Sequence, residues 1–320
     1  MRKSNIELLR ILCMFMIILW HINIAVEQCE PYTHDFILKD AIYSITVIAV
    51  NCFVLISGYF GIHFKIKSIV ILLLQCLFYS IILGCTINII YNEPLKIMIM
   101  LMPVSSNTWW FVTTYFMLYL SAPLLNKAIE NMNIKEFIFT SISFTLICVY
   151  CGYIFKNENN PSGHSYLQFV YIYIIGRAIY KMSNYKKIII GGVNRWWLLY
   201  VVMTFINMLV LKSYRYNNPL VILSTISFFI IFLNSNITYK QYINNISATV
   251  FAAYLIHEHP MIKPLLARYI HNIHQNNSLT VEIINYIGIA IFILASAFII
   301  EQIRKYLFIP INHILNKYIT

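Results

Sequence analysis

Two side chains in the first apolar stretch, Arg10 and His21, are groups that a lipid bilayer does not hold without a purpose. They are eleven residues apart. On an α-helix that is about 1100°, three turns plus about 20°, so both fall on one face, with His21 about 16 Å further along the axis. A guanidinium binds anions, and an imidazole takes or gives a proton near neutral pH. Taken singly, each has a plainer alternative. Arg10 can snorkel to the headgroups, and His21 can make a structural hydrogen bond to a neighbouring helix. A second group closes a later apolar run, Ala253-Tyr254-Leu255-Ile256-His257-Glu258-His259-Pro260. Three adjacent ionisable side chains there point to hydrogen bonding or proton transfer. No metal site is expected, because positions 257 and 259 diverge on a helix by about 200° and no H-E-x-x-H spacing occurs.

Other polar positions have structural readings. Ser57-Gly58 permits close helix contact. Trp109 and Trp110 fit an outer interfacial belt. Tyr115 and Tyr119 share a helix face, and Pro123 should kink or end that helix. Cys148-x-x-Cys151 lies within an apolar run with no partner pair, so packing is expected there, as for most of the seven cysteines.

The elements that carry these residues follow from composition. Of 320 residues, 60% are hydrophobic and 11% charged, against about 25% charged in soluble domains. A soluble globule cannot hide that much apolar surface. Continuous apolar runs exclude a porin-like barrel, whose strands alternate. Ten spanning helices are predicted, near 7–26, 40–62, 68–91, 107–126, 136–155, 166–181, 195–212, 218–235, 247–262 and 281–303. The expected fold is thus an all-α polytopic bundle forming one membrane domain over 1–320, with no separate soluble domain. The segment 92–106 is apolar but short and is read as interfacial or re-entrant. No small-x-small cleavage site follows the first apolar run, so that helix is read as retained.

The charge balance is 23 Lys and Arg against 12 Asp and Glu. There is no basic domain and no aromatic-basic sheet motif, so nucleic acid is not an expected partner. With the N-terminus inside, fifteen cations fall in inner segments and seven in outer ones, with Arg10 inside the first span. That asymmetry predicts both termini in the cytoplasm.

With these residues in view, the chain resembles the acyltransferase-3 family of integral membrane acyltransferases. Asn5-Ile6-Glu7-Leu8-Leu9-Arg10-Ile11 with His21 is similar to the family's opening. Phe53 to Phe60, then Trp110-Phe111 with Tyr119 to Asn126, then Tyr254-Leu255-Ile256-His257 resemble its later blocks, in order. The resemblance implies transfer of an acyl group, most often acetyl from cytoplasmic acetyl-CoA, to a sugar hydroxyl of a cell-envelope or exported polysaccharide or its lipid-linked precursor. It also implies that Arg10 and His21 are essential, and it points to a bacterial cytoplasmic membrane. Relatives often carry Arg-x-x-Arg in the first cytoplasmic loop. Here the loop reads His63-Phe64-Lys65-Ile66-Lys67, whose two lysines can meet phosphates as point charges.

On this reading Arg10, Lys65 and Lys67 bind the nucleotide of the acyl donor, and His21 is general base on the acceptor hydroxyl. A covalent route through Tyr115 is the alternative. Glu258 or His257 orients the base or relays a proton. Because the sequence ends shortly after the tenth span, transfer is expected within the membrane part. The competing function is a polysaccharide or lipid-linked sugar transporter, which also needs polar groups along a path, although matched interrupted spans are not evident.

Overall fold

The structure, a computed structural model, describes residues 3–26, 34–184, 192–276 and 278–318. It is built of helices, with no strand among the described residues. In hydrocarbon every backbone N–H and C=O must be satisfied within the segment, and a helix does this. The helices are α1 (Ser4–Ala25), α2 (His34–Thr46), α3 (Ile48–Phe60), α4 (Ile66–Tyr91), α5 (Ile97–Leu101), α6 (Trp110–Asn131) and α7 (Ile134–Thr145), which continues as a π-helix over Leu146–Ile154. Next come α8 (Tyr166–Asn184), α9 (Val193–Ile206) with a π-helical end at Asn207–Leu211, and α10 (Pro219–Leu233). The last are α11 (Gln241–Ser247), α12 (Val250–His257), α13 (Lys263–Asn276), α14 (Leu279–Leu307) and α15 (Ile309–Tyr318).

Six helical stretches among the described residues are long and apolar enough to cross a membrane: Ser4–Ala25, Asp35–Phe60, Ile66–Tyr91, Ile134–Ile154, Val193–Leu211 and Leu279–Leu307. Each predicted span except that at 247–262 coincides with a helix or a joined pair. The exception is a correction. That region breaks into α11 and α12, and the chain leaves the helix at His257, with Glu258 as its C-cap. The helix therefore ends within the run His257-Glu258-His259, and the angular argument that separated the side chains of 257 and 259 does not apply. Pro123 does not end α6, which passes through it to Asn131. In 92–106 the short helix α5 rests Met100 on Gly84 of α4.

Local chemistry sets several boundaries. Asn133 and Glu136 form a capping box at the start of α7. Asn218 caps α10 ahead of Pro219. Gly61, at φ 74°, ends α3 in a conformation that costs glycine little.

α1 and α3 lie at the centre. α1 packs against α2, α3, α10, α11, α12, α13 and α14, and α3 against α8 and α10. The α3–α8 contact is backbone on backbone. A Cβ added at Gly58 would lie 2.4 Å from the Tyr173 carbonyl oxygen, and one at Gly176 would lie 2.6 Å from the Tyr59 nitrogen. The Ser57-Gly58 notch is thus a helix contact, as its residue types suggest. Three polar residues fix the start of α1. Ser4 donates to Asn244 Oδ1 at 3.2 Å, Asn5 to the Phe232 carbonyl at 2.9 Å, and Glu7 accepts from Ser247 at 2.5 Å. Cys148 is buried and its thiol meets the Leu167 carbonyl at 3.8 Å, whereas Cys151 is exposed; neither is in a disulfide. Cys29, Lys186 and Lys187 lie outside the described residues.

Candidate active site

The C-terminal half of α1, the junction of α2 and α3, the start of α6, the 212–218 loop and α12 line a cavity of about 60 Å³. Met14, Ile17 and His21 line it along one stripe of α1, with Val50, Phe53, Phe111 and Phe251 among the apolar walls. Arg10 is one turn before Met14 on the same stripe. The cavity thus runs alongside α1 from just beyond Arg10 up to His21, and it is lined mainly by carbon.

At its far end His21 meets α12. His21 Nδ1 lies 3.0 Å from His257 Nε2. His257 Nδ1 lies 2.5 Å from the Ala253 carbonyl oxygen, one helical turn back. A carbonyl only accepts, so His257 carries its proton on Nδ1 and presents a lone pair at Nε2. His21 must then donate from Nδ1. This leaves His21 Nε2 as the one ring nitrogen of the pair with a free lone pair. Glu258 adds a charge: its Oε1 is 3.6 Å from His21 Nδ1, and its Oε2 accepts from Lys263 at 2.8 Å. His257 is 1% exposed, and the side chains of His21 and Glu258 are 14% and 9% exposed. In so dry a setting, charge interactions are stronger than in water.

Arg10 stands at the other end of the stripe. Its Nη1 is 3.4 Å from Glu7 Oε1, and its side chain is 35% exposed. Tyr115 is not on the cavity wall. Its hydroxyl is 3.0 Å from Ser57 Oγ, and its ring stacks on Phe111, which is on the wall. Lys65 and Lys67 are at the same end of the bundle as Arg10. Lys67 bonds Asn316, and the Lys65 N–H donates to the Tyr119 hydroxyl at 3.1 Å. The loop that carries them is clamped. Tyr119 donates to the His63 carbonyl, Asn126 donates to the Ile62 carbonyl at 2.9 Å, and Tyr173 accepts from the Ile62 N–H while donating to Asn126.

The structure therefore brings His21, His257 and Glu258 together, whereas Arg10 pairs with Glu7, and Lys67 with Asn316, toward the opposite end. Sequence reasoning missed Lys263, which neutralises one oxygen of Glu258, and Tyr216 on the cavity wall. It also misplaced the tryptophans. Trp109 is 1% exposed and packs against His259. Trp110 lines the cavity, with Tyr216 and His164 beside it. They serve the interior because the 258–262 turn and the 212–218 loop cover the start of α6. Tyr216 is anchored through its carbonyl, which accepts from Asn51 at 2.9 Å and from Gln168 at 3.0 Å. Burial, and after it the Glu258 charge, pushes the Tyr216 phenol up, so it stays neutral.

No curated protein and no solved structure matches the chain. A family model described as an acyltransferase domain matches residues 3–302. That match takes in the α1 stripe, the cavity and the α12 turn, and on it the chain belongs to the acyltransferase-3 family of membrane acyltransferases.

Proposed function

We propose that this acyltransferase moves an acyl group, acetyl in the simplest case, from acyl-CoA to a sugar hydroxyl of a cell-surface polysaccharide or its lipid-linked precursor. The end of the bundle with Arg10, Lys65 and Lys67 faces the cytoplasm and receives the anionic nucleotide. The acyl arm follows the carbon-lined cavity along Met14 and Ile17. Its thioester carbonyl stops beside His21.

His21 Nε2 takes the proton from the acceptor hydroxyl as that oxygen attacks the carbonyl. The tetrahedral intermediate expels the coenzyme A thiolate, which recovers the proton from His21. While His21 is an imidazolium, Nδ1–H still donates to His257, and the Glu258 carboxylate 3.6 Å away offsets the charge. Tyr115 is bound to Ser57 and set off the cavity wall, which favours direct transfer over a covalent tyrosyl route.

One observation carries this reading. The Ala253–His257–His21 hydrogen-bond chain leaves the lone free imidazole lone pair on the residue that lines the cavity. The test is transfer of labelled acetyl from acetyl-CoA by the purified protein, with polysaccharide O-acetyl content followed by NMR in cells. A folded His21→Ala variant should lose about 10²–10⁴-fold in rate. Normal acetylation by that variant would refute the base role.

A further inference from the structure

The three side chains at the end of the cavity also make a ligand set. We propose that one zinc ion binds His21 Nδ1, His257 Nε2 and Glu258 Oε1, and that this switches the acyltransferase off. The binding half stands on geometry alone; the switching half rests on His21 being the base.

Each residue offers one ligand atom, and the three atoms lie within 4.8 Å of one another. The His–His separation is 3.0 Å and the His21–Glu258 separation 3.6 Å. Tetrahedral zinc, with bonds of about 2.0–2.2 Å to nitrogen and oxygen, separates its ligand atoms by about 3.3–3.5 Å, so small side-chain rotations suffice. Two histidines and a glutamate form a known zinc set that leaves a fourth position open. Nitrogen donors select zinc and its transition-metal neighbours over magnesium and calcium.

The surroundings are already those of a held ligand set. His257 donates its other ring N–H to the Ala253 carbonyl at 2.5 Å. Glu258 has its second oxygen fixed by Lys263 at 2.8 Å. Such outer contacts orient metal-binding side chains. Oε1 of Glu258, in a side chain 9% exposed, accepts no hydrogen bond among the described residues, and it lies beside the two rings. An orphaned buried carboxylate oxygen is costly, and a cation in this position would satisfy it. The Lys263 ammonium opposes the ion and tempers the affinity.

Switching follows from proton placement. A neutral imidazole has one N–H. Zinc on His21 Nδ1 needs that lone pair, so the proton resides on Nε2. No proton is gained or lost overall, yet the lone pair that would take the acceptor's proton is gone.

The full-length protein in detergent, stripped with a chelator, is titrated with zinc alone against a chromophoric competitor, and acetyl transfer is measured in the same samples. One zinc per chain is expected, with affinity reduced at least tenfold in both Glu258→Gln and His257→Asn. Magnesium should not compete. His274→Asn, which alters the separate His274–Glu282 pair, should bind zinc like the parent. Thermal unfolding confirms that each variant is folded. Transfer should fall in step with occupancy and return on chelation. No stoichiometric binding, or binding that both variants retain, overturns the site and leaves the base reading standing. Binding that the two variants abolish, but with full transfer in zinc-loaded parent protein, overturns the switch and the base reading together.

Discussion

Nδ1 of His21 and Nε2 of His257 stand 3.0 Å apart, although 236 residues of chain separate them. This contact closes the hydrogen-bond chain that begins at the Ala253 carbonyl, and it fixes which nitrogen of His21 is free. His257 is thus a positioning residue. A His257→Phe variant fills the same space and removes the acceptor. It should lower kcat by about 10–100-fold, the usual size of an orienting contact, with the KM for acyl-CoA within about twofold of the parent. Steady-state kinetics decide the matter. A raised KM at unchanged kcat contradicts the assignment.

Arg10 sits a helical turn before the cavity, with only Glu7 as its ion-pair partner among the described residues. If it holds a phosphate of the donor, Arg10→Ala should raise the KM for acyl-CoA by about tenfold or more, the worth of one charge-assisted hydrogen bond. Arg10→Lys should recover part of this, since the charge remains but the fork is lost. Initial rates across a range of acyl-CoA concentrations read this directly. An unchanged KM in Arg10→Ala removes the arginine from the donor site.

The close approach of α3 and α8 leaves no room for a methyl group. Gly58→Ala places a Cβ 2.4 Å from a main-chain oxygen, which no rotamer change can relieve. A destabilisation of about 1–3 kcal/mol is expected, seen as a lower Tm in detergent. Gly288→Ala, where a Cβ meets nothing within 4 Å, is the matched control. Equal Tm values for the two variants would show that the helices separate more easily than the packing implies.

Tyr173 joins α8 to the loop after α3 through the Ile62 N–H and to α6 through Asn126. Tyr173→Phe orphans both partners and should cost about 1–3 kcal/mol. Because that loop carries Lys65, the donor KM should rise as well. Thermal unfolding and donor kinetics on one preparation test both. A stable variant with parental kinetics would show that the clamp has no bearing on the donor.

The loops around Lys65 and Lys127 lie at the end of the bundle where α1 begins, and those around Asn159 and Lys263 lie at the end where α1 finishes. With the first end cytoplasmic, reporter fusions after Lys127 should report the cytoplasm, and fusions after Asn159 the outside. The same signal from both positions would break the assigned topology.

Much of the helical order was legible in the sequence, because hydrocarbon imposes a local rule. An apolar run long enough to cross must satisfy its own backbone, so length and composition suffice to find it. The region 247–262 escaped that rule. α12 is covered by α1 and α14 and by the turn after it, so its backbone need not be satisfied by one unbroken spanning helix. Trp109 and Trp110 misled for a related reason. The belt expected of tryptophan describes rings that face lipid, whereas these are capped by loops whose course no local pattern reveals.

The same division holds at the site. Arg10 and His21 share a helix, and helical geometry is local, so their common face and spacing could be read from residue numbers alone. The meeting of His21 with His257 and Glu258 could not. It depends on how α1 and α12 pack, and packing sums many weak contacts over the whole chain. The sequence by itself determined which residues could carry protons and charge. Only the tertiary structure decided which of them touch, and through those contacts where the single mobile proton of His21 resides.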